Sequence, residues 1–282
     1  MPSLRELEVG VMFWAEADPE QTIRRVKSAG ARCGQLGIPG DMPLEGAAAA
    51  WKAALEAEEF TVVTVFASYT GESYADIPTV QRTVGFIPAA TRAEREARTR
   101  EVSDFAAGIG VESIACHIGF VPEDPSVPDY AAVRDLVRRV SDYAAGNRQV
   151  FALETGQEPA PVLLRFLCDV DRRNARINFD PANMILYGTG DPIEALGVLA
   201  PYVVSVHAKD GDWPPKDQPG ALGTERRLGE GSVGMERFIA KLRGIGYKGT
   251  LNVEREAPDP GEKWRDVAAA VALLRRMTGT GA

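Results

Sequence analysis

Histidine is nearly absent from this chain, with two residues in 282, and basic charge is outnumbered, with 32 Lys and Arg against 40 Asp and Glu. A net charge of −8 argues against phosphate-backbone binding, which needs a basic surface. The three cysteines, Cys33, Cys116 and Cys168, are odd in number and widely spaced, unlike a disulfide framework. Each sits in an apolar run, which predicts reduced core residues. No run approaches about 18 consecutive apolar residues, so no membrane span is expected. The N-terminal stretch Pro2-Ser3-Leu4-Arg5-Glu6-Leu7-Glu8 is charged and has no apolar signal core, which predicts a cytoplasmic protein. No glycine-rich phosphate fingerprint follows the first strand, which disfavours a doubly wound open sheet.

What is present is an alternation. The length fits one large domain or two ordinary ones, and a hydrophobic content of 45% allows a sizeable core. Apolar, β-branched runs predict strands over 8–14, 32–38, 60–67, 111–117, 149–154, 176–180, 202–210 and 249–254. Helices are predicted between and after them, over 22–29, 44–59, 91–107, 130–145, 162–171, from 191 onward, 233–245 and 263–277. Asp18-Pro19-Glu20-Gln21 and Asp191-Pro192-Ile193-Glu194 each supply a cap, a proline at the first helical position and a polar third residue. The mixed charges between Arg92 and Glu101 read as a solvated helix face. Eight strand–helix units with no linker predict an α/β fold, a single (β/α)₈ TIM barrel over residues 1–282, with long loops over 68–90 and 211–231 after strands three and seven. Loops of that length are usually functional.

In such a barrel the active-site side chains project from the C-terminal strand ends. Those ends carry Glu154, Asp180, His207 and Glu254 on strands five to eight, four consecutive neighbours. A single histidine at a strand end is ordinarily just a hydrogen-bonded side chain. Three carboxylates and an imidazole crowded into one barrel mouth are different, because unpaired buried charge is very costly without a cation. An oxygen-rich set with one nitrogen suits one divalent ion, Mn²⁺, Mg²⁺ or Co²⁺, with Zn²⁺ also compatible.

The segments Leu153-Glu154-Thr155-Gly156-Gln157-Glu158, Asn178-Phe179-Asp180-Pro181-Ala182-Asn183, Val206-His207-Ala208-Lys209-Asp210, Leu228-Gly229-Glu230-Gly231 and Asn252-Val253-Glu254-Arg255-Glu256 carry a resemblance. The chain resembles the xylose isomerase-like barrel superfamily of sugar isomerases and epimerases over its whole length. The resemblance implies that Glu154, Asp180, His207 and Glu254 bind the metal. It also implies that Glu154 and Glu254 face the substrate as acid and base, and that self-association into dimers or tetramers is common. Ketose 3-epimerases commonly carry a histidine where this chain has Asn183, which can hydrogen-bond a sugar oxygen but cannot titrate.

The implied chemistry begins with proton removal from an α-carbon by a glutamate, with the enediolate stabilised by the metal. Return on the opposite face is epimerisation, return at the neighbouring carbon is aldose–ketose isomerisation, and loss of a β-hydroxyl is dehydration of the inosose dehydratase type. The leading expectation is therefore a metal-dependent isomerase or epimerase of a small keto sugar or polyol, with the lyase as alternative. An endonuclease IV-like phosphodiesterase, which uses many histidines, and a non-catalytic sugar-binding relative rank below it. Further substrate contacts are expected from His117, Glu158, Asn183, Lys209, Arg227 and Trp14, with Arg226 turned to water. Gln35 and Phe66 lie near other strand mouths.

Overall fold

A computed structural model describes residues 4–279. The Pro2-Ser3 start of the charged N-terminal stretch and the outermost bounds of the 1–282 domain lie outside the described residues. Eight parallel strands close on themselves, each hydrogen-bonded to two neighbours. They are β1 (Val9–Trp14), β2 (Cys33–Ile38), β3 (Thr61–Ala67), β4 (Ser113–Cys116), β5 (Val150–Glu154), β6 (Ala175–Phe179), β7 (Val203–Ala208) and β10 (Leu251–Val253). β10 closes the ring by pairing with β1. Around them pack α1 (Pro19–Ser28), α2 (Ala47–Ala57), α4 (Arg92–Gly108), α5 (Pro128–Gly146), α6 (Ala160–Val170), α8 (Pro192–Leu199), α9 (Met235–Gly244) and α10 (Pro260–Thr278), with two short helices, α3 (Ile77–Thr83) and α7 (Pro181–Tyr187), near the mouth. The strands read as near-continuous apolar runs because both faces are covered, by helices outside and barrel side chains inside. The expected (β/α)₈ barrel is the observed fold.

Four elements were not anticipated. The loop over 68–90 contains α3, started by Asp76, whose Oδ1 accepts the Thr79 N–H at 2.7 Å. Asp180, expected to end a strand, is the N-cap of α7, and its Oδ1 accepts the Asn183 N–H at 2.9 Å with Pro181 following. An antiparallel hairpin of β8 (Asp210–Asp212) and β9 (Thr224–Arg226) begins at the last residue of the expected strand over 202–210 and runs into the loop over 211–231. Sequence periodicity is silent on elements this short.

Two expectations are corrected. Cys168 is exposed, while Cys33 and Cys116 are buried. On α6 the buried stripe is Leu163, Phe166, Leu167 and Val170, and Cys168 falls on the other side of the helix. Arg95 is buried rather than solvated. Its guanidinium donates to Gly85 O at 2.5 Å and lies over the Tyr69 ring. No helix among the described residues is long and apolar enough to cross a membrane.

Side chains two residues apart on a strand share a face. On the inner face this parity stacks Ala152 below Glu154, Asn178 below Asp180, Ser205 below His207 and Lys209, and Asn252 below Glu254 and Glu256. Met12, Phe66, Ala115 and Ala152 form an apolar patch inside the barrel, packed against Trp14. Trp14 and Met12 reach inward because position 37 is glycine: a Cβ there would lie 2.6 Å from the Trp14 ring and 2.8 Å from the Met12 methyl.

The loop after β7 is held by one carboxylate. Asp210 Oδ1 accepts the N–H groups of Gly211 and Val233, and Oδ2 those of Gly229 and Gly231, at 2.9 to 3.1 Å. A Cβ at position 231 would lie 2.3 Å from Asp210 Oδ1, so the approach requires glycine. This accounts for the Leu228-Gly229-Glu230-Gly231 segment. Asp210→Ala is expected to lower stability by about 3 kcal/mol, from charge-assisted bonds lost and buried donors left unpaired. Urea unfolding measures it, and an unchanged midpoint would contradict the staple.

Candidate active site and metal centre

The four strand-end residues meet. Ligand atoms of Glu154, Asp180, His207 and Glu254 lie within 4.8 Å of one another. His207 is the hub: its Nδ1 is 2.9 Å from Glu154 Oε1, 3.3 Å from Glu254 Oε2 and 3.5 Å from Asp180 Oδ2. Lys209 Nζ donates to Glu254 Oε2 at 3.0 Å and sits 4.0 Å from Asp180 Oδ2. Glu154 is held at both oxygens. Asn183 Nδ2 donates to Oε1 at 3.1 Å, and His117 Nε2 lies 2.9 Å from Oε2. Gln157 Nε2 is 3.1 Å from the other nitrogen of His117. Because the amide can only donate there, His117 keeps Nδ1 as acceptor and gives its Nε2 proton to Glu154.

Burial works against charge at every member of this group, and partners decide the outcome. For Glu154 burial is opposed by His117 and His207, which bring the carboxyl down to about 2. For Glu254 burial is overcome by Lys209 and then His207, holding it well below the usual carboxylate range. His207 would lose its proton through burial, but Glu254 and Glu154 raise it well above an ordinary histidine. Asp180 goes the other way: burial pushes it up to about 6 despite Lys209. Without a further cation, the cluster offsets its carboxylates by holding a proton on His207 and, once pH falls to about 6, a second on Asp180.

A divalent ion fits these residues. Asp180 Oδ2 is buried without a hydrogen-bond partner, aimed at the space that His207 Nδ1 and Glu254 face. Three carboxylates against one divalent ion and the Lys209 ammonium leave no net charge, so the ion would take the place of the protons.

The description of the xylose isomerase-like TIM barrel family matches residues 23–277. The chain belongs to this family. A xylose isomerase domain protein from Planctomyces limnophilus is 43% identical, with a TM-score of 0.91, over 96% of this chain and 97% of that one. The D-allulose 3-epimerase of Methylomonas sp., solved with D-allulose, is 17% identical with a TM-score of 0.70, over 96% of this chain and 97% of that one, and so shares the fold. An uncharacterized protein of Methanocaldococcus jannaschii is 24% identical over 169 residues, 56% of this chain and 55% of that protein.

In this xylose isomerase-like barrel the cluster lies at the floor of a cavity of about 390 Å³, lined among others by Glu154, Glu254, Asn183, His117, Lys209 and Trp14. Two expected contacts stand apart from it. Glu158 is buried, its Oε1 accepting the Val121 N–H at 2.7 Å in the loop after β4, and burial pushes its carboxyl up to about 8. Arg227 turns outward to Asp266 at 3.0 Å and Glu262 at 3.5 Å on α10. Arg226 is exposed and pairs with Asp212.

The cavity also takes residues that sequence reasoning left unnamed. Glu72 and Tyr74 come from the loop after β3, Leu222 and Glu225 from the hairpin, and Glu256 from the residue pair beyond Glu254. Glu72 anchors its loop by accepting the N–H groups of Tyr69 at 3.1 Å and Gly85 at 2.8 Å. Glu225 Oε1 accepts from Arg255 and from the Glu256 N–H, both at 2.9 Å. Glu256 shares the inward parity of Asn252 and Glu254, a signal present in the sequence.

His207→Ala is expected to abolish most divalent-ion binding while the barrel stays folded, measured by metal content and circular dichroism. Unchanged metal content would sink the four-ligand site. The raised proton affinity of His207 adds a pH dependence. In the metal-free protein its pairing stabilises fully below the ordinary histidine pKa and is lost as pH rises through the raised value. Metal uptake must displace that proton, so affinity for Mn²⁺ should weaken as pH falls. Calorimetry in two buffers should count released protons, and none released would contradict this.

Proposed function

We propose that this chain is a divalent-metal-dependent isomerase or epimerase of a small keto sugar or polyol. One observation carries the reading: two glutamates, Glu154 and Glu254, share a four-ligand cluster and both line the same cavity. Glu154 ends β5 and Glu254 follows β10, strands separated around the barrel by β6 and β7, so they approach a bound substrate from different directions. A divalent ion held by Glu154, Asp180, His207 and Glu254 supplies Lewis acidity toward a carbonyl and its neighbouring hydroxyl.

The protein's own groups do the rest. One glutamate removes the α-proton as general base, and the other or the same one returns it. His117 and Asn183 hold Glu154 at its two oxygens, so its carboxylate keeps one orientation while it works. Lys209 does the same for Glu254 and sets a positive charge beside the position where an oxyanion would develop. Asn183 has the orienting part of a histidine's role and none of its titration. Trp14, Phe66 and Tyr74 offer apolar walls for the carbon face of a sugar. The binding of D-allulose by an epimerase of the same fold supports the substrate class.

The test is incubation of the Mn²⁺-loaded protein with a panel of ketoses and inososes in D₂O. Deuterium at the α-carbon without skeletal change is expected. Loss of water with new ultraviolet absorbance would favour the lyase instead, and no exchange with any member would leave a sugar-binding protein. With an active substrate, Glu154→Gln and Glu254→Gln should each slow exchange by about 10²–10⁴-fold. Full activity in either variant would remove that residue from the acid/base pair.

A further inference from the structure

Below the four ligands part of the barrel interior is polar, where barrels of this kind ordinarily pack branched apolar side chains. Gln35, Asn178, Ser205 and Asn252 are all buried there. Gln35 on β2 and Asn178 on β6 each stand at a shift in strand pairing, between Gly34 and Gln35 and between Ile177 and Asn178. Such irregularities re-aim side chains and gather near active sites.

The Gln35 amide nitrogen donates to Asn178 Oδ1 at 2.9 Å and to Ser205 Oγ. With both protons in use, its orientation is set and its oxygen faces the other way, 2.8 Å from Nε2 of His207. A carbonyl oxygen at that distance from a bare ring nitrogen would set lone pair against lone pair, so Nε2 carries a proton and donates it. By the same reasoning Nδ1, 2.9 Å from Glu154 Oε1, also carries a proton in the metal-free protein; with the Nε2 proton held by Gln35, it is the Nδ1 proton that a divalent ion would displace, freeing that lone pair toward Glu154, Glu254 and Asp180. The opposite arrangement would have Asn178 Nδ2, 3.2 Å away, donate to a bare Nε2. That puts the ring proton on Nδ1, where it and a cation exclude each other, and it strands the Gln35 oxygen.

We propose that Gln35 is a positioning residue: through its hydrogen bond to Nε2 it fixes the tautomer of His207 that presents Nδ1 to the metal. The proposal rests on the metal-site reading and adds to it the ring nitrogen used and the residue, on the far side of the barrel, that selects it. Orienting partners of this kind govern affinity as well as geometry.

Two histidines in the chain make the test direct, because a long-range proton–nitrogen NMR spectrum of ¹⁵N-labelled protein contains two imidazoles only. With Zn²⁺ as a diamagnetic probe, His207 is expected to show a protonated Nε2 and a metal-shifted Nδ1. Gln35→Met should bind Zn²⁺ about 10–100-fold more weakly and lose the single sharp Nε2–H signature. Gln35→Glu, which keeps an acceptor against Nε2, should recover most of the affinity. Circular dichroism checks the fold of both variants, and the wild-type spectrum decides the tautomer should either fail to fold. Zn²⁺ bound through Nε2, or a folded Gln35→Met with wild-type affinity and spectrum, would overturn the proposal. No Zn²⁺ uptake by the wild type would instead remove the metal site and the proposal together.

Discussion

Everything at the mouth of this barrel follows from crowding three carboxylates, two buried and one partly buried, around one imidazole. Like charges at that spacing repel, and burial removes the water that would screen them. The surrounding structure answers with donors. His117, Asn183 and Lys209 each bind a carboxylate oxygen, and Gln35 backs the imidazole from below. Asp180 Oδ2 is buried without a donor, and that gap is where a cation would fit.

The same economy runs outward from the ligands to the loops. Glu72, Asp210 and Glu225 are carboxylates whose oxygens accept backbone N–H groups, and each fixes one of the segments that roof or wall the cavity. Arg255 ties Glu225 to Asp266 on α10, so the hairpin over the mouth is linked to the outer helical ring by ion pairs. Lys209 is the only Lys or Arg lining the cavity among the described residues, and Glu254 already holds it. The cavity wall is therefore acidic and aromatic, a setting for hydroxyl groups more than for phosphate.

The four clustered residues were legible in the sequence because a strand end is a fixed address: an apolar run stops and the next inward side chain is at the mouth. Barrel closure followed from counting strand–helix units. What lay hidden depends on contacts across the ring. Gln35 sits in mid-strand, surrounded in sequence by apolar neighbours, and only closure sets it beside Asn178, Ser205 and His207. Arg227 shows the converse, since charge and loop position pointed it at substrate while α10 offered Asp266 and Glu262 nearer by. Cys168 was misread because an apolar run on a helix still has an outer side. The parity that stacks Asn252, Glu254 and Glu256 was available beforehand and would have named Glu256.

Position 37 is the quietest feature of the cavity. Its missing side chain is what lets Trp14 and Met12 occupy the inner face, so the width of the chamber is set by an absence on the strand next door. A single methyl group added there would force the Trp14 indole or the Met12 methyl to shift without touching any of the four clustered residues. The shape of the chamber can therefore drift independently of the polar cluster at its floor, through a change at a position that carries no side chain.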